Sequence, residues 1–171
     1  YIWRNYLLMK STVFALSFFL FTLISSAQKS EYSSLTISDS LKENANAVVR
    51  LDQMDITIAS QRSMNIKMQR VVTVFNEKGT RAINAVENYN KRSAVKNIEA
   101  VVYDAFGNEV KKIKRKDFRD QSVVGGGTLF SDSRYLFLDY TPVSYPFTVE
   151  FNSEVQTSAT AFIPRWIPLH G

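Results

Sequence analysis

Residues 147–155 read FTVEFNSEV, and this stretch alternates strictly between two sets of side chains. The first set is mostly apolar and consists of Phe147, Val149, Phe151, Ser153 and Val155. Successive side chains of a β-strand point to opposite faces of the sheet, so this set shares one face. The pattern therefore predicts a half-buried strand whose apolar face joins a core.

The same alternation recurs upstream. Residues 64–69 read MNIKMQ, and residues 71–75 continue the pattern with VVTVF. We expect Val72 and Val74 to face the core. The pattern stops at residues 76–79, whose Asn and Gly are typical of a turn. A second strand of this kind indicates that the fold is built from sheets rather than helices.

A hairpin is predicted between residues 98–103 and 109–113, because Gly107 and Asn108 can supply the positive φ of a tight reversal. Residues 80–89 have apolar side chains at mixed spacings of three and four, which predicts one short helix. Further strand patterns cover residues 47–51, 55–60 and 135–140. About seven strands at short spacing predict a mainly β fold, an antiparallel β-sandwich with at most one short helix.

The N-terminal residues predict export. A positive start at Met9-Lys10, an apolar run and Ser25-Ser26-Ala27 form the pattern of a secretory signal peptide over residues 9–27. The alternative is a buried core helix. The run is shorter than the roughly 20 residues of a membrane span, and we expect no membrane span after cleavage. The predicted location is periplasmic, cell-surface or extracellular.

The rest of the chain divides on the same reasoning. Residues 1–8 precede the first Met and are interpreted as upstream translation outside the fold. Residues 28–46 are serine-rich and predict a polar linker. The β-sandwich is expected over residues 47–171, truncated at its C-terminal end.

The composition excludes several classes of catalytic and metal site, because the chain has no cysteine and its one histidine is His170. Cysteine–histidine and serine–histidine catalysis need an imidazole beside the nucleophile, and structural zinc sites need several imidazoles or thiolates. We therefore predict that the chain is not an enzyme and holds no metal or cofactor. The net charge is only +5, which predicts no nucleic-acid partner.

One loop and one basic cluster are candidate binding sites. Tyr140 and Tyr145 flank Pro142 between two predicted strands, so they are candidates for ligand contact. The basic residues at 111–116 include Lys112 and Lys114, which could contact an anionic lipid or glycan. The alternative for these lysines is an exposed strand edge, where they discourage pairing with other chains. The triple glycine at 125–127 is interpreted as a flexible loop, because no phosphate-binding helix follows it.

Several motifs resemble one known family. They are residues 70–79 (RVVTVFNEKG), 103–109 (YDAFGNE), 116–118 (KDF), 138–140 (LDY) and 162–164 (FIP) with Trp166. They resemble the N-terminal domain of unknown function that precedes a transglutaminase-like domain in exported bacterial proteins. The resemblance implies a β-sandwich module and a downstream domain with a Cys-His-Asp triad, which this chain does not contain.

Three functions remain open at this point. The first is a non-catalytic accessory module at the front of an exported transglutaminase-like protein. The second is a free-standing envelope binding module for a glycan or a protein. The third is an enzyme that acts through carboxylates such as Asp132, Asp139 and Glu154, for which no fixed spacing is present.

Overall fold

The computed structural model describes residues 31–123 and 132–165. Its strands are β1 (Ala47–Ser60), β2 (Ser63–Val74), β3 (Val86–Tyr89), β4 (Ser93–Tyr103), β5 (Glu109–Lys114), β6 (Arg119–Ser122), β7 (Arg134–Phe137) and β8 (Phe147–Thr157). Its helical segments are the helix α1 (Asp39–Lys42) and 3-10 turns at Ser34–Thr36, Glu77–Ile83 and Arg115–Asp117. The predicted upstream segment 1–8, signal peptide 9–27, glycine loop 125–127 and residues beyond 165 lie outside the described residues.

The strands form two antiparallel sheets. The larger sheet has five strands in the order β1-β2-β8-β4-β5, and the smaller has three in the order β3-β7-β6. All pairings between these strands are antiparallel. The predicted fold class, a mainly β antiparallel sandwich, is confirmed.

The core lies between the two sheets. The predicted apolar face of β8 is buried in full, and Val72 and Val74 of β2 are 1% and 0% exposed, as predicted. The smaller sheet contributes Leu136, and the adjoining loops contribute Ile83 and Phe118. We call the face of the five-stranded sheet that carries Val72 and Val74 its inner face, and the opposite one its outer face.

The predicted hairpin is present, with β4 and β5 joined by a tight turn. Gly107 adopts a φ of 85°, whereas Asn108 does not have a positive φ. The Asp104 carboxylate accepts hydrogen bonds from the backbone N–H groups of Phe106 and Asn108, each at 2.9 Å. Hydrogen bonds from Asn108 and the turn backbone lower the pKa of Asp104.

The helix predicted over residues 80–89 is wrong. A 3-10 turn at Glu77–Ile83 ends at Asn84, whose φ of 46° is left-handed, and strand β3 follows at once. Ile83 and Ala85 are buried on either side of this break. The mixed apolar spacing therefore comes from a turn followed by a strand, not from one helical face.

Within the linker predicted over residues 28–46, the residues 32–37 are not a solvated linker but pack on the five-stranded sheet. The ring of Tyr32 stacks on Tyr103 with centroids 4.3 Å apart and planes 5° apart. The backbone carbonyl of Tyr32 accepts a hydrogen bond from the Thr148 hydroxyl at 3.0 Å. Ser33 and Ser34 are buried and donate to the Ala105 carbonyl. Serine hydroxyls that pair with backbone carbonyls can be buried, so a serine-rich segment need not be solvated.

Candidate functional site

An open cavity lies beside the loop between β7 and β8. Its volume is about 770 Å³. It is lined by two tyrosines, two cations and smaller polar groups: Glu77, Lys78, Thr80, Arg81, Tyr140, Thr141, Pro142 and Tyr145. We call it the tyrosine cavity. The structure thus brings the two tyrosines chosen from the sequence into one surface.

The two tyrosines are held by a buried aromatic side chain. Phe147, the first residue of β8, is 3% exposed. Its ring centroid lies 5.9 Å from that of Tyr140 and 5.5 Å from that of Tyr145. Tilted and edge-on aromatic pairs at these distances are stabilising. Because Phe147 belongs to the core, both tyrosines have a rigid support.

A cation approaches Tyr140 from strand β5. The Lys111 ammonium lies 5.5 Å from the ring centroid, within the range of a cation–π contact. Burial raises the pKa of the Tyr140 hydroxyl. The phenol is therefore neutral at physiological pH and is able to donate a hydrogen bond to a ligand.

The opposite wall of the cavity is the 3-10 turn Glu77–Ile83. Gly79 packs so close to β1 that a Cβ at this position would lie 2.0 Å from the Asn46 carbonyl oxygen. The same carbonyl accepts a hydrogen bond from the Phe75 N–H at 2.9 Å. Only glycine permits this approach, so Gly79 fixes the position of Lys78 and Arg81 in the wall.

The structure does not bring Lys112 and Lys114 to the tyrosine cavity. Side chains alternate along β5, so buried Ile113 shares its face with Lys111 and not with these two lysines. The Lys112 ammonium forms an ion pair with Glu99 at 3.4 Å. The lysine of β5 that contacts Tyr140 is Lys111, and its alternation with Ile113 was the sequence signal that could have identified it.

The wall residues Glu77, Lys78, Thr80 and Arg81 were not predicted as site residues. They lie about 60 residues before Tyr140 in the chain, and no local pattern relates the two segments. The hypothesis of catalysis by carboxylates receives no support at this site, because the Asp139 carboxylate forms an ion pair with Arg119 at 2.5 Å. No group of three or more His, Cys, Asp or Glu side chains that could hold a metal occurs within residues 31–123 and 132–165.

A smaller cavity of about 310 Å³ lies between the inner face of β1–β2 and strand β3. Arg70 and Asp52 line it and form an ion pair, with side chains only 6% and 9% exposed. Glu87 also lines it and accepts a hydrogen bond from the Ser153 hydroxyl at 2.5 Å. Burial raises the pKa of the Glu87 carboxyl. The charges of Arg70 and Asp52 are paired with each other, so the tyrosine cavity is the better candidate for binding.

Aromatic faces, two cations, one carboxylate and the Thr141 hydroxyl give the tyrosine cavity the groups of a recognition surface. Aromatic rings stack on apolar faces of a ligand, and cations and hydroxyls bind its polar groups. The fold and this surface together define a β-sandwich domain with an open, aromatic and basic cavity. No helix among the described residues is long and apolar enough to cross a membrane.

Comparison with known families identifies the domain. The family described as "Domain of Unknown Function with solved-structure structure" (DUF3857) matches residues 60–168, and the chain belongs to this family. The match begins at the last residue of β1, so the folded unit extends further toward the N-terminus than the matched segment.

A solved structure has a similar fold. It is the crystal structure of a "putative protease" from Parabacteroides distasonis, with a TM-score of 0.53 and 12% sequence identity. The similarity covers 72% of this chain and 24% of that protein, so the chain spans about a quarter of its length. No curated protein matches the chain.

Proposed function

We propose that this domain is a non-catalytic recognition module of a longer exported protein whose further domain is transglutaminase-like. The tyrosine cavity is the surface by which it holds an envelope substrate, a peptide-bearing glycan, for that catalytic domain. The observation that carries the proposal is the convergence of Tyr140 and Tyr145 with Lys78 and Arg81 on one open cavity.

Three further observations support this proposal. The signal-peptide pattern at residues 9–27 supports export. The resemblance of the sequence motifs to the domain that precedes transglutaminase-like domains supports a place before such a domain. The structural neighbour is about four times longer than the matched segment, which supports an accessory role within a larger polypeptide.

The binding part of the proposal is tested by co-sedimentation of the protein with purified peptidoglycan. Removing both rings in a Tyr140→Ala, Tyr145→Ala variant is expected to reduce binding by at least about tenfold, since aromatic contacts of this kind contribute about 1 kcal/mol each or more. The matched control is Tyr135→Ala, which removes a tyrosine of the smaller sheet and should leave binding unchanged. Binding that survives the double variant would contradict the recognition role of the cavity.

The accessory part is tested by the DNA sequence downstream of the codon for Gly171. An open frame that continues into a domain with Cys, His and Asp in a transglutaminase-like arrangement is the expected result. A stop codon directly after Gly171 would contradict it. The second candidate function, a free-standing envelope binding module, would then take its place, and the same tyrosine variants would test it.

A further inference from the structure

A second surface lies at the other end of β2, away from the tyrosine cavity. The turn between β1 and β2 carries Arg62, and the turn between β3 and β4 carries Lys91 and Arg92. These cations line a cavity of about 240 Å³, which we call the arginine cleft. Its other lining residues are small or polar: Ser93, Ala94, Gln156, Thr157 and Ser158.

Hydrogen bonds hold the turn that carries Lys91 and Arg92. The backbone N–H groups of Arg92 and Ser93 donate to the Asn90 side-chain oxygen at 2.8 and 3.0 Å. The Arg92 carbonyl accepts from the Ser158 N–H at 2.9 Å, and the Ser93 hydroxyl donates to that of Thr157 at 2.8 Å. The turn is therefore tied to the end of β8.

The turn that carries Arg62 is tied to the same region of the chain. The Gln61 carbonyl accepts a hydrogen bond from the Thr160 hydroxyl at 2.6 Å. The Gln156 amide donates to the Ser63 hydroxyl at 3.3 Å. Both turns are thus anchored beside the end of β8, and their backbones hold three positive side chains around one cavity without requiring a ligand to order them.

The charge of the cleft is not balanced within the described part of the chain. No Asp or Glu lines it, and Arg62, Lys91 and Arg92 take part in no ion pair among the described residues. Elsewhere Lys112 and Arg134 each have a carboxylate partner. Three like charges on anchored turns repel one another, and an anion bound between them would relieve that repulsion.

We propose that the arginine cleft binds a phosphate-type oxyanion. Two guanidinium groups can each present paired N–H donors to phosphate oxygens, Lys91 adds a third positive charge, and the hydroxyls of Ser93 and Ser158 lie in the same lining. The cavity has room for a phosphate and part of the group that carries it. A soluble phosphate compound and the headgroup of an anionic lipid share this chemistry.

The test is isothermal titration of the chain with inorganic pyrophosphate, together with co-sedimentation with phosphatidylcholine vesicles that contain phosphatidylglycerol. Binding to at least one probe is expected, weakening with added salt because the contacts are ionic. The variant Arg62→Gln, Lys91→Gln, Arg92→Gln should weaken that binding by at least about tenfold, since it removes all three positively charged donors of the cleft.

The matched control is Lys42→Gln, Lys67→Gln, Arg119→Gln, which removes the same charge from surface positions that line neither cavity. It should change binding less than about twofold. Pyrophosphate binding that only the cleft variant loses supports a soluble phosphate ligand, and vesicle binding alone supports a lipid headgroup. Binding to neither probe, or an equal loss in both variants, would overturn the proposal. The three cleft side chains are exposed, so the urea unfolding midpoint should not move in the variant.

Discussion

Strand β2 has two halves, residues 64–69 and 70–74. Both belong to one alternating pattern, but they differ in how much of each is covered. In the half from Arg70 to Val74 every side chain is buried, with exposed fractions from 6% down to 0%. In the half before it, which we call the partly open half, Met64 is buried, but Lys67 is exposed and Ile66 and Met68 are only partly buried. The difference arises because the 3-10 turn Glu77–Ile83 packs on the inner face of the half from Arg70 to Val74, and the segment 31–37 covers its outer face. We call this half the doubly covered half. Alternation reports burial of one face only, and it cannot show that the polar face is covered too.

Most polar groups in the doubly covered half are paired, whereas the buried Nε atom of Arg70 has no hydrogen-bond partner. The hydroxyls of Thr73 and Thr148, both 0% exposed, lie 2.8 Å apart, and that of Thr148 also donates to the Tyr32 carbonyl. Arg70, at the boundary between the halves, forms its ion pair with Asp52. Buried polar groups without partners would cost about 1–3 kcal/mol each. The packing of the segment 31–37 on the outer face therefore depends on these pairings.

The largest expected effect is that of a charge placed in the doubly covered half. Val74→Asp should lower the free energy of unfolding by at least about 4 kcal/mol, because the carboxylate would be buried without a partner. Urea unfolding measures it. The control Ile58→Asp lies on the same face of the hairpin but at a site 54% exposed, and it should cost less than about 1 kcal/mol. Equal costs at both sites would remove the distinction between the halves.

The next largest loss of stability is expected at the ion pair of Arg70 and Asp52, at the boundary between the two halves of β2. Asp52→Asn should cost about 3 kcal/mol, since it leaves the buried Arg70 guanidinium without its counter-charge. The double variant Asp52→Leu, Arg70→Met should cost less than the single one, because it removes both charges. A double-mutant comparison by urea unfolding checks this. A single variant that costs under about 1 kcal/mol would mean that water reaches the pair.

A smaller effect is expected from the segment 31–37, which covers the outer face of the five-stranded sheet. Tyr32→Ala removes the ring that stacks on Tyr103 and should lower the free energy of unfolding by about 1–2 kcal/mol. Leu35→Ala is the matched control, because Leu35 lies in the same segment but is 66% exposed. It should change stability by less than about 0.5 kcal/mol. If Tyr32→Ala had no effect, the segment would contribute little to the sheet.

The smallest effect is a pH dependence at Glu87, beside the partly open half. Because burial raises its pKa in the folded state, the stabilisation linked to its proton is present below the ordinary glutamate pKa and is lost as pH rises through the folded value. Glu87→Gln should therefore gain stability relative to the native chain between about pH 4 and pH 7. Unfolding midpoints across this range measure the gain. A difference that does not change with pH would place the carboxyl in water.

The sequence was sufficient for features that depend on neighbouring residues. Strand β8, the core face of β2 and the hairpin turn at Gly107 follow from alternation and turn chemistry. The prediction of a helix at 80–89 was wrong, because Ile83 and Ala85 are buried by tertiary packing on either side of Asn84, whose backbone is left-handed. The prediction of a solvated linker was wrong at Ser33 and Ser34, because their hydroxyls donate hydrogen bonds to the carbonyl of Ala105, which is distant in the chain.

The candidate site shows the same limit. Tyr140 and Tyr145 were identified because they flank a proline in a loop, which is a local signal. Lys78 and Arg81 could not be assigned to the same cavity, since their proximity to the tyrosines depends on the approach of Gly79 to β1. Lys111 was missed although alternation with Ile113 places it on the inner face.

The position of β1 has a consequence for any attempt to excise this domain along its family boundary. A fragment of residues 60–168 would lack almost all of β1 and with it Asp52, the partner of Arg70. Twelve residues of β2 would then form an open sheet edge with alternating apolar side chains. An uncapped edge of this length is a template for pairing with other chains. We expect such a fragment to aggregate, whereas a fragment that begins before Tyr32 should stay dispersed.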